Sequence, residues 1–176
     1  MKDLLSLAYI LIFIFLLSTC SEDTTDNEPE TGPKPTGRIS FDSDRDGDKE
    51  IFIVDAAGGQ PVQLTNNDVY DVVPDISLDG SKIVYETWDG NDSEIWSMNS
   101  DGSNKVQLTN NTDRDLQARW SGTATKILFT TRRDGNGEIY IMNTDGSYPT
   151  NITNHNSDDY NIHKDNDYGK PQNFEI

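Results

Sequence analysis

The densest run of side chains able to do chemistry is Asp42-Ser43-Asp44-Arg45-Asp46-Gly47-Asp48. Alternate carboxylates followed by a glycine can wrap a hard cation, so the run has the form of the first part of a calcium loop, with Asp42, Asp44, Asp46 and Asp48 as candidate ligands. Position twelve of such a loop, where a helix–loop–helix site needs a bidentate Glu, is Ile53. The stretches that correspond to it further on, ETWDGND at 86–92 and TTRRDGN at 130–136, do not keep the acids. A solvated hairpin loop therefore stands beside calcium as the reading of this run. His155 and His163, with Asp158 and Asp159 nearby, form a second set from which a metal site could be built. No nucleophile elbow, phosphate-binding loop or dinucleotide fingerprint occurs in the sequence. The expectation is a non-catalytic chain.

One further side chain has chemistry of its own. Cys20 is the single cysteine, so it has no partner for an intramolecular disulfide. It follows Lys2, an apolar segment from Leu4 to Leu17, and Leu17-Ser18-Thr19. Fourteen helical residues span about 21 Å, short of the roughly 30 Å hydrocarbon core, so the segment reads as a signal helix and not a membrane span. The ending resembles a bacterial lipobox, with Thr19 where Gly, Ala or Ser is usual. That resemblance implies lipidation at Cys20, and several acyl chains give the firm anchoring that one does not. An ordinary secretory signal is the other reading. Residues 21–37 are acidic and rich in Pro and Gly, as expected of a disordered tether. Acids directly after the cysteine resemble surface-export signals, and a generic linker accounts for them too.

Acids outnumber bases 31 to 14, for a net charge of −17. A phosphate backbone needs clustered Lys and Arg, so nucleic acid is excluded as a partner, and so is electrostatic adhesion to anionic lipid. The acid reads as solvated loop surface.

What must position these residues is a repeat. EIFIVD (50–55), EIWSMN (94–99) and EIYIMN (138–143) lie 44 residues apart in unbroken register. Leu64-Thr65-Asn66, Leu108-Thr109-Asn110 and Ile152-Thr153-Asn154 keep the same step, as do Asp71, Asp115 and Asp159. A fixed period of this size signals a repeat architecture in which each copy buries its apolar face on a neighbour. Asp-Gly pairs at 79–80, 101–102 and 145–146, with Gly58-Gly59 in the first copy, supply tight hairpins. The strands at 51–54, 95–98 and 139–142 are apolar on consecutive residues and so are buried on both faces. The fold expected is all-β, with four-stranded antiparallel propeller blades, because a sandwich would leave one face wet. Trp96 and Tyr140 repeat the large residue at Phe52 and read as packing between blades.

The combined motif is similar to the TolB-type β-propeller repeat, a WD-repeat-like unit. It is carried by Glu94-Ile95, Met98-Asn99, Asp101-Gly102-Ser103, Leu108-Thr109, Pro74, Ser77, Asp79-Gly80 and Trp120-Ser121. The resemblance implies that the segments holding Pro74 and Trp120 are innermost strands, with three strands following outward. The third such segment, 159–163, keeps its Asp and loses the Trp-Ser ending. The domain plan is a signal at 1–20, a tether at 21–37, repeats at 38–81, 82–125 and 126–163, and a polar tail at 164–176. Closed propellers need about four to eight blades, and three are expected here. A fragment of a longer propeller, a homodimer closing a six-bladed ring, and an open arc all follow from that count. The function expected is a lipid-anchored envelope lipoprotein whose repeats bind a protein or glycan partner, on the periplasmic or outer face of the outer membrane. The alternative is a metal-dependent, glycan-degrading propeller or a truncated piece of a larger one.

Overall fold

The computed structural model describes residues 36–163. The signal segment, Cys20 and the C-terminal tail lie outside the described residues, as does the tether up to residue 35. Eleven strands form three antiparallel sheets among the described residues. Sheet 1 has β1 (Arg38–Ser43), β2 (Glu50–Asp55) and β3 (Val62–Gln63). Sheet 2 has β4 (Tyr70–Ile76), β5 (Lys82–Trp88), β6 (Ser93–Asn99) and β7 (Val106–Gln107). Sheet 3 has β8 (Asp115–Trp120), β9 (Lys126–Thr131), β10 (Glu138–Asn143) and β11 (Thr150–Asn151). Within each sheet the strands pair in chain order, so each is a meander.

The sheets do not coincide with the sequence repeats. Each 44-residue unit hands its last strand, β4 or β8, to the sheet that follows. Sheet 1 therefore has three strands among the described residues where four were expected. The outer strands β3, β7 and β11 are two residues long. Each pairs through two residues before the chain turns away.

The Asp-Gly turns form as the residue types require. Gly102 and Gly146 sit at φ of 84° and 83°, where a Cβ is unfavourable. Each glycine also packs against the main chain of the preceding unit, Gly102 on Leu64 and Gly146 on Leu108.

The core lies between successive sheets. Ile51, Ile53, Leu64, Ile83, Tyr85 and Met98 form one cluster, with Ile76 and Trp96 packed against it. Val84, Ile95, Trp120, Ile127, Phe129, Tyr140 and Met142 belong to the next. Full burial of each such side chain contributes about 1.5–3 kcal/mol, which is why single sheets of this size need neighbours.

Each inner strand carries a bulge, where the register shifts between Val72 and Asp75 and between Leu116 and Arg119. Val73 and Gln117 both sit at φ 54°, a left-handed geometry that a β-branched Val resists. A carboxylate from the preceding sheet meets the displaced amide. The Val73 N–H donates to Asp42 at 3.3 Å, and the Gln117 N–H donates to Glu86 at 3.4 Å. Asp75 joins sheets 2 and 3 in the same manner, accepting the Trp120 amide at 2.7 Å while its carbonyl accepts the indole N–H at 3.0 Å.

The segment after β11 forms no strand, although it keeps part of the pattern. Asn161 sits at φ 64°, in register with Val73 and Gln117. The Asp159 N–H donates to the Gly137 carbonyl at 2.7 Å, as the Asp71 N–H does to Lys49 at 2.8 Å.

Candidate functional site

The repeated Glu and Thr residues converge at one end of each sheet and form a polar lock, joined in sheets 1 and 2 by an Asn and an Asp. In sheet 2, Glu94 accepts the Asn111 amide at 2.6 Å and the Thr109 hydroxyl, while that hydroxyl accepts the Ile95 N–H at 2.9 Å. Asn111 Nδ2 then donates to Asp115 at 2.7 Å. In sheet 1, Glu50 accepts the Asn67 amide at 2.6 Å, Thr65 takes the Ile51 N–H at 2.8 Å, and Asn67 donates to Asp71 at 2.8 Å. In sheet 3, Glu138 accepts the His155 amide at 2.8 Å and the Thr153 hydroxyl.

The spacing of the repeat is thus a hydrogen-bond requirement. The second strand must present an acid where the loop after the third strand turns. Burial pushes the carboxyls of Glu50, Glu94, Asp71 and Glu86 above their usual range. The Thr153 hydroxyl beside it holds Glu138 below that range. Asp115, fully buried, is matched by the Arg133 guanidinium at 2.9 Å.

The hairpin loops above this lock differ from sheet to sheet, and so does the chemistry over the aromatic ring of the second strand. In sheet 1 the Arg45 guanidinium lies over Phe52 at 4.3 Å from the ring centroid and over Phe41 at 5.2 Å. In sheet 3 the Arg133 guanidinium lies over Tyr140 at 5.0 Å and over Phe129 at 5.4 Å. Arg45 and Arg133 occupy the same place in their units, and in sheet 2 that place holds Asp89. There a cleft of about 250 Å³ opens beside Trp96. Its walls are Thr87, Asp89 and Asp92 from the hairpin, Glu94 and Trp96 from β6, and Gln107, Asn110 and Asn111 from the outer edge. Asp89 accepts the amides of Asn91 at 2.9 Å and Asp92 at 3.1 Å, which holds its carboxyl below the usual range and therefore charged. Phe52 and Tyr140 are buried, whereas Trp96 is half-buried. The reading of Trp96 as packing between blades describes only one part of that ring's environment.

Several of the acids singled out in the sequence have partners within the chain. Asp42 holds Lys49 at 2.8 Å and caps the bulge amide of Val73. Asp46 accepts the side-chain amide of Gln63. Asp44 supplies a carbonyl to the Gly47 amide at 3.2 Å, which closes the turn. Among the described residues no three His, Cys, Asp or Glu side chains are grouped to hold a metal ion, and neither the run at Asp42–Asp48 nor the His155 and His163 pair is gathered into one. The run is a hairpin loop in which the Asp42 and Asp46 carboxylates are engaged by Lys49, Val73 and Gln63. Residues of the cleft were missed in the sequence because their signal is a difference between copies, an Asp where the flanking copies have an Arg.

No protein-family model matches the chain, and no curated protein matches it. Solved structures do. A TolB candidate from Agrobacterium tumefaciens is 25% identical with a TM-score of 0.61, over 67% of this chain and 43% of that one. TolB from Acinetobacter baumannii is 21% identical with a TM-score of 0.59, over 66% of this chain and 29% of that one. An oligogalacturonate lyase from Vibrio parahaemolyticus shares the fold at 14% identity and a TM-score of 0.52, over 65% of this chain and 36% of its own. The chain thus spans less than half the length of each of these proteins. Sheet order and the Asp-Gly turns agree with the resemblance read from the motifs. Residues 36–163 are a partial TolB-like β-propeller.

Proposed function

We propose that this chain is a non-catalytic binding module of the bacterial cell envelope, held to the outer membrane by lipid on Cys20 and presenting its blades to a protein partner. The observation that carries the reading is the contrast between lock and rim. The Glu-Thr pair repeats through all three sheets, with Asn67 and Asn111 beside it in sheets 1 and 2 and His155 in that place in sheet 3, and the Asp held in sheets 1 and 2 recurs in sequence as Asp159. The loops above it read DRDGD, DGND and RDGN and build different surfaces. A scaffold held constant beneath varied loops is how a fold carries recognition. The likeness to TolB supports a propeller binding module in general terms. The acidic rim fits a partner with a basic face, since complementary charge speeds encounter and selects among partners.

The test is co-purification. The full chain, tagged at its C-terminus and expressed in its own envelope, should retain one protein in fixed ratio through salt washes and should partition with membranes in a manner abolished by Cys20→Ala. Recovery of the chain alone, together with turnover of an envelope substrate by the purified protein, would overturn the proposal.

A further inference from the structure

The three sheets are three trials of one design, and the ring on the second strand has the same surroundings in two of them. Phe52 and Tyr140 each lie under a guanidinium supplied by the chain, with centroid distances of 4.3 and 5.0 Å. A cation over an aromatic face is attracted by the ring's quadrupole, and Trp is the ring that attracts it best. Sheet 2 has the Trp and lacks the chain's own cation, because the place of Arg45 and Arg133 is held by Asp89. None of the residues around the resulting cleft is cationic, and three of them are acids.

We propose that the cleft beside Trp96 receives an arginine side chain of the partner protein, which lies over the indole as Arg45 and Arg133 lie over their rings. This inference rests on the proposed protein-binding reading and deepens it by naming the group recognised. The internal copies define the pose. The guanidinium lies over the indole, and its N–H groups reach the acids of the cleft, as Arg133 reaches Asp115 of β8 in sheet 3, while Arg45 in sheet 1 donates to the Ser43 hydroxyl. Arginine fits better than lysine because its planar fork stacks and hydrogen-bonds at once, and because it is more weakly hydrated than an ammonium. Asp89 adds a charge to meet it, and Asn110 and Gln107 offer side-chain carbonyls to the remaining donors.

The internal copies also supply the decisive variant. Asp89→Arg rebuilds in sheet 2 what sheets 1 and 3 already contain, so the protein should stay folded while the cleft is filled from within. The full chain is titrated with N-acetyl-arginine methylamide, with its citrulline counterpart, with the lysine counterpart and with a neutral oligosaccharide. The expected result is saturable binding of the arginine probe, several-fold weaker binding of lysine, and no saturation by citrulline or sugar. Asp89→Arg, with an unchanged thermal transition, should weaken the arginine probe at least tenfold, and so should Trp96→Ala. Citrulline or sugar bound as tightly as arginine, no saturable arginine binding, or an Asp89→Arg protein that binds as before would each overturn the proposal. A partner still retained in full by Asp89→Arg would overturn this inference and leave the protein-binding reading standing. Arginine binding with no retained partner would sink the protein-binding reading and leave the cleft as a site for a guanidinium compound.

Discussion

At the scale of the residue, the structure separates acids that hold the fold from acids that face outward. Asp115 is fully buried, and Arg133 lies 2.9 Å away. Removing one partner of such a pair leaves an uncompensated charge, so Arg133→Met should cost about 3 kcal/mol in denaturant unfolding. The double change with Asp115→Asn should recover a large part of that loss. Glu50, Asp71, Glu86 and Glu94 carry folded-state carboxyls raised by burial. An acid raised on folding binds its proton more readily in the native state. Its unfavourable contribution is therefore greatest at high pH and is relieved as pH falls through the folded value toward about 4, the unfolded value. Asp79, brought down to about 2 by Ser77 and Ser81, works the other way, with stability lost only as pH falls below the ordinary carboxylate range. The melting temperature should thus rise from pH 7.5 to about 5 before acid unfolding begins, and Asp71→Asn should flatten the rise. A melting temperature that falls steadily across that window would contradict the assignment.

At the scale of the element, turns and bulges set the distance between sheets. Gly146 has positive φ, and a Cβ there would collide with the Leu108 carbonyl. Gly135 also has positive φ, at 98°, with open space around it. Gly146→Ala should therefore destabilise more than Gly135→Ala, by roughly the 1–3 kcal/mol typical of overpacking, as read from paired denaturation curves. Strands and hairpins were legible in the sequence because burial on both faces and Asp-Gly turns leave local marks. The bulges were not, since a displaced amide in β4 is stabilised by a carboxylate 31 residues earlier in β1. No local window contains both. The cleft was hidden for a related reason. Trp96 reads as one more large apolar residue in a strand, and it is less buried than Phe52 and Tyr140, with Asp89 standing seven residues before it where the other units have an Arg. A period points to what is constant, and here the candidate site is what departs from the period.

At the scale of the molecule, the outer faces of the three-sheet stack present positions that are buried inside it. Ile83 and Ile127 are 0% exposed between sheets, while Ile39, their counterpart in sheet 1, is 51% exposed. Leu64 is 7% exposed, and Ile152, its counterpart in sheet 3, is 50% exposed. Ile39→Asp should accordingly be tolerated within about 1 kcal/mol by the described unit, whereas Ile83→Asp should unfold it. The cleft lies away from this question, on the rim of the middle sheet with a neighbour on each side. Its walls come from elements that the described residues complete. In the proposed interaction this rim meets a protein through the space beside Trp96. A photo-reactive side chain placed at Asn110 of the full chain, in its native envelope, tests this most directly. The expected result is one protein adduct, attached next to an arginine of the partner and abolished by Asp89→Arg. An absence of any protein adduct, or an adduct that persists unchanged in Asp89→Arg, would contradict it.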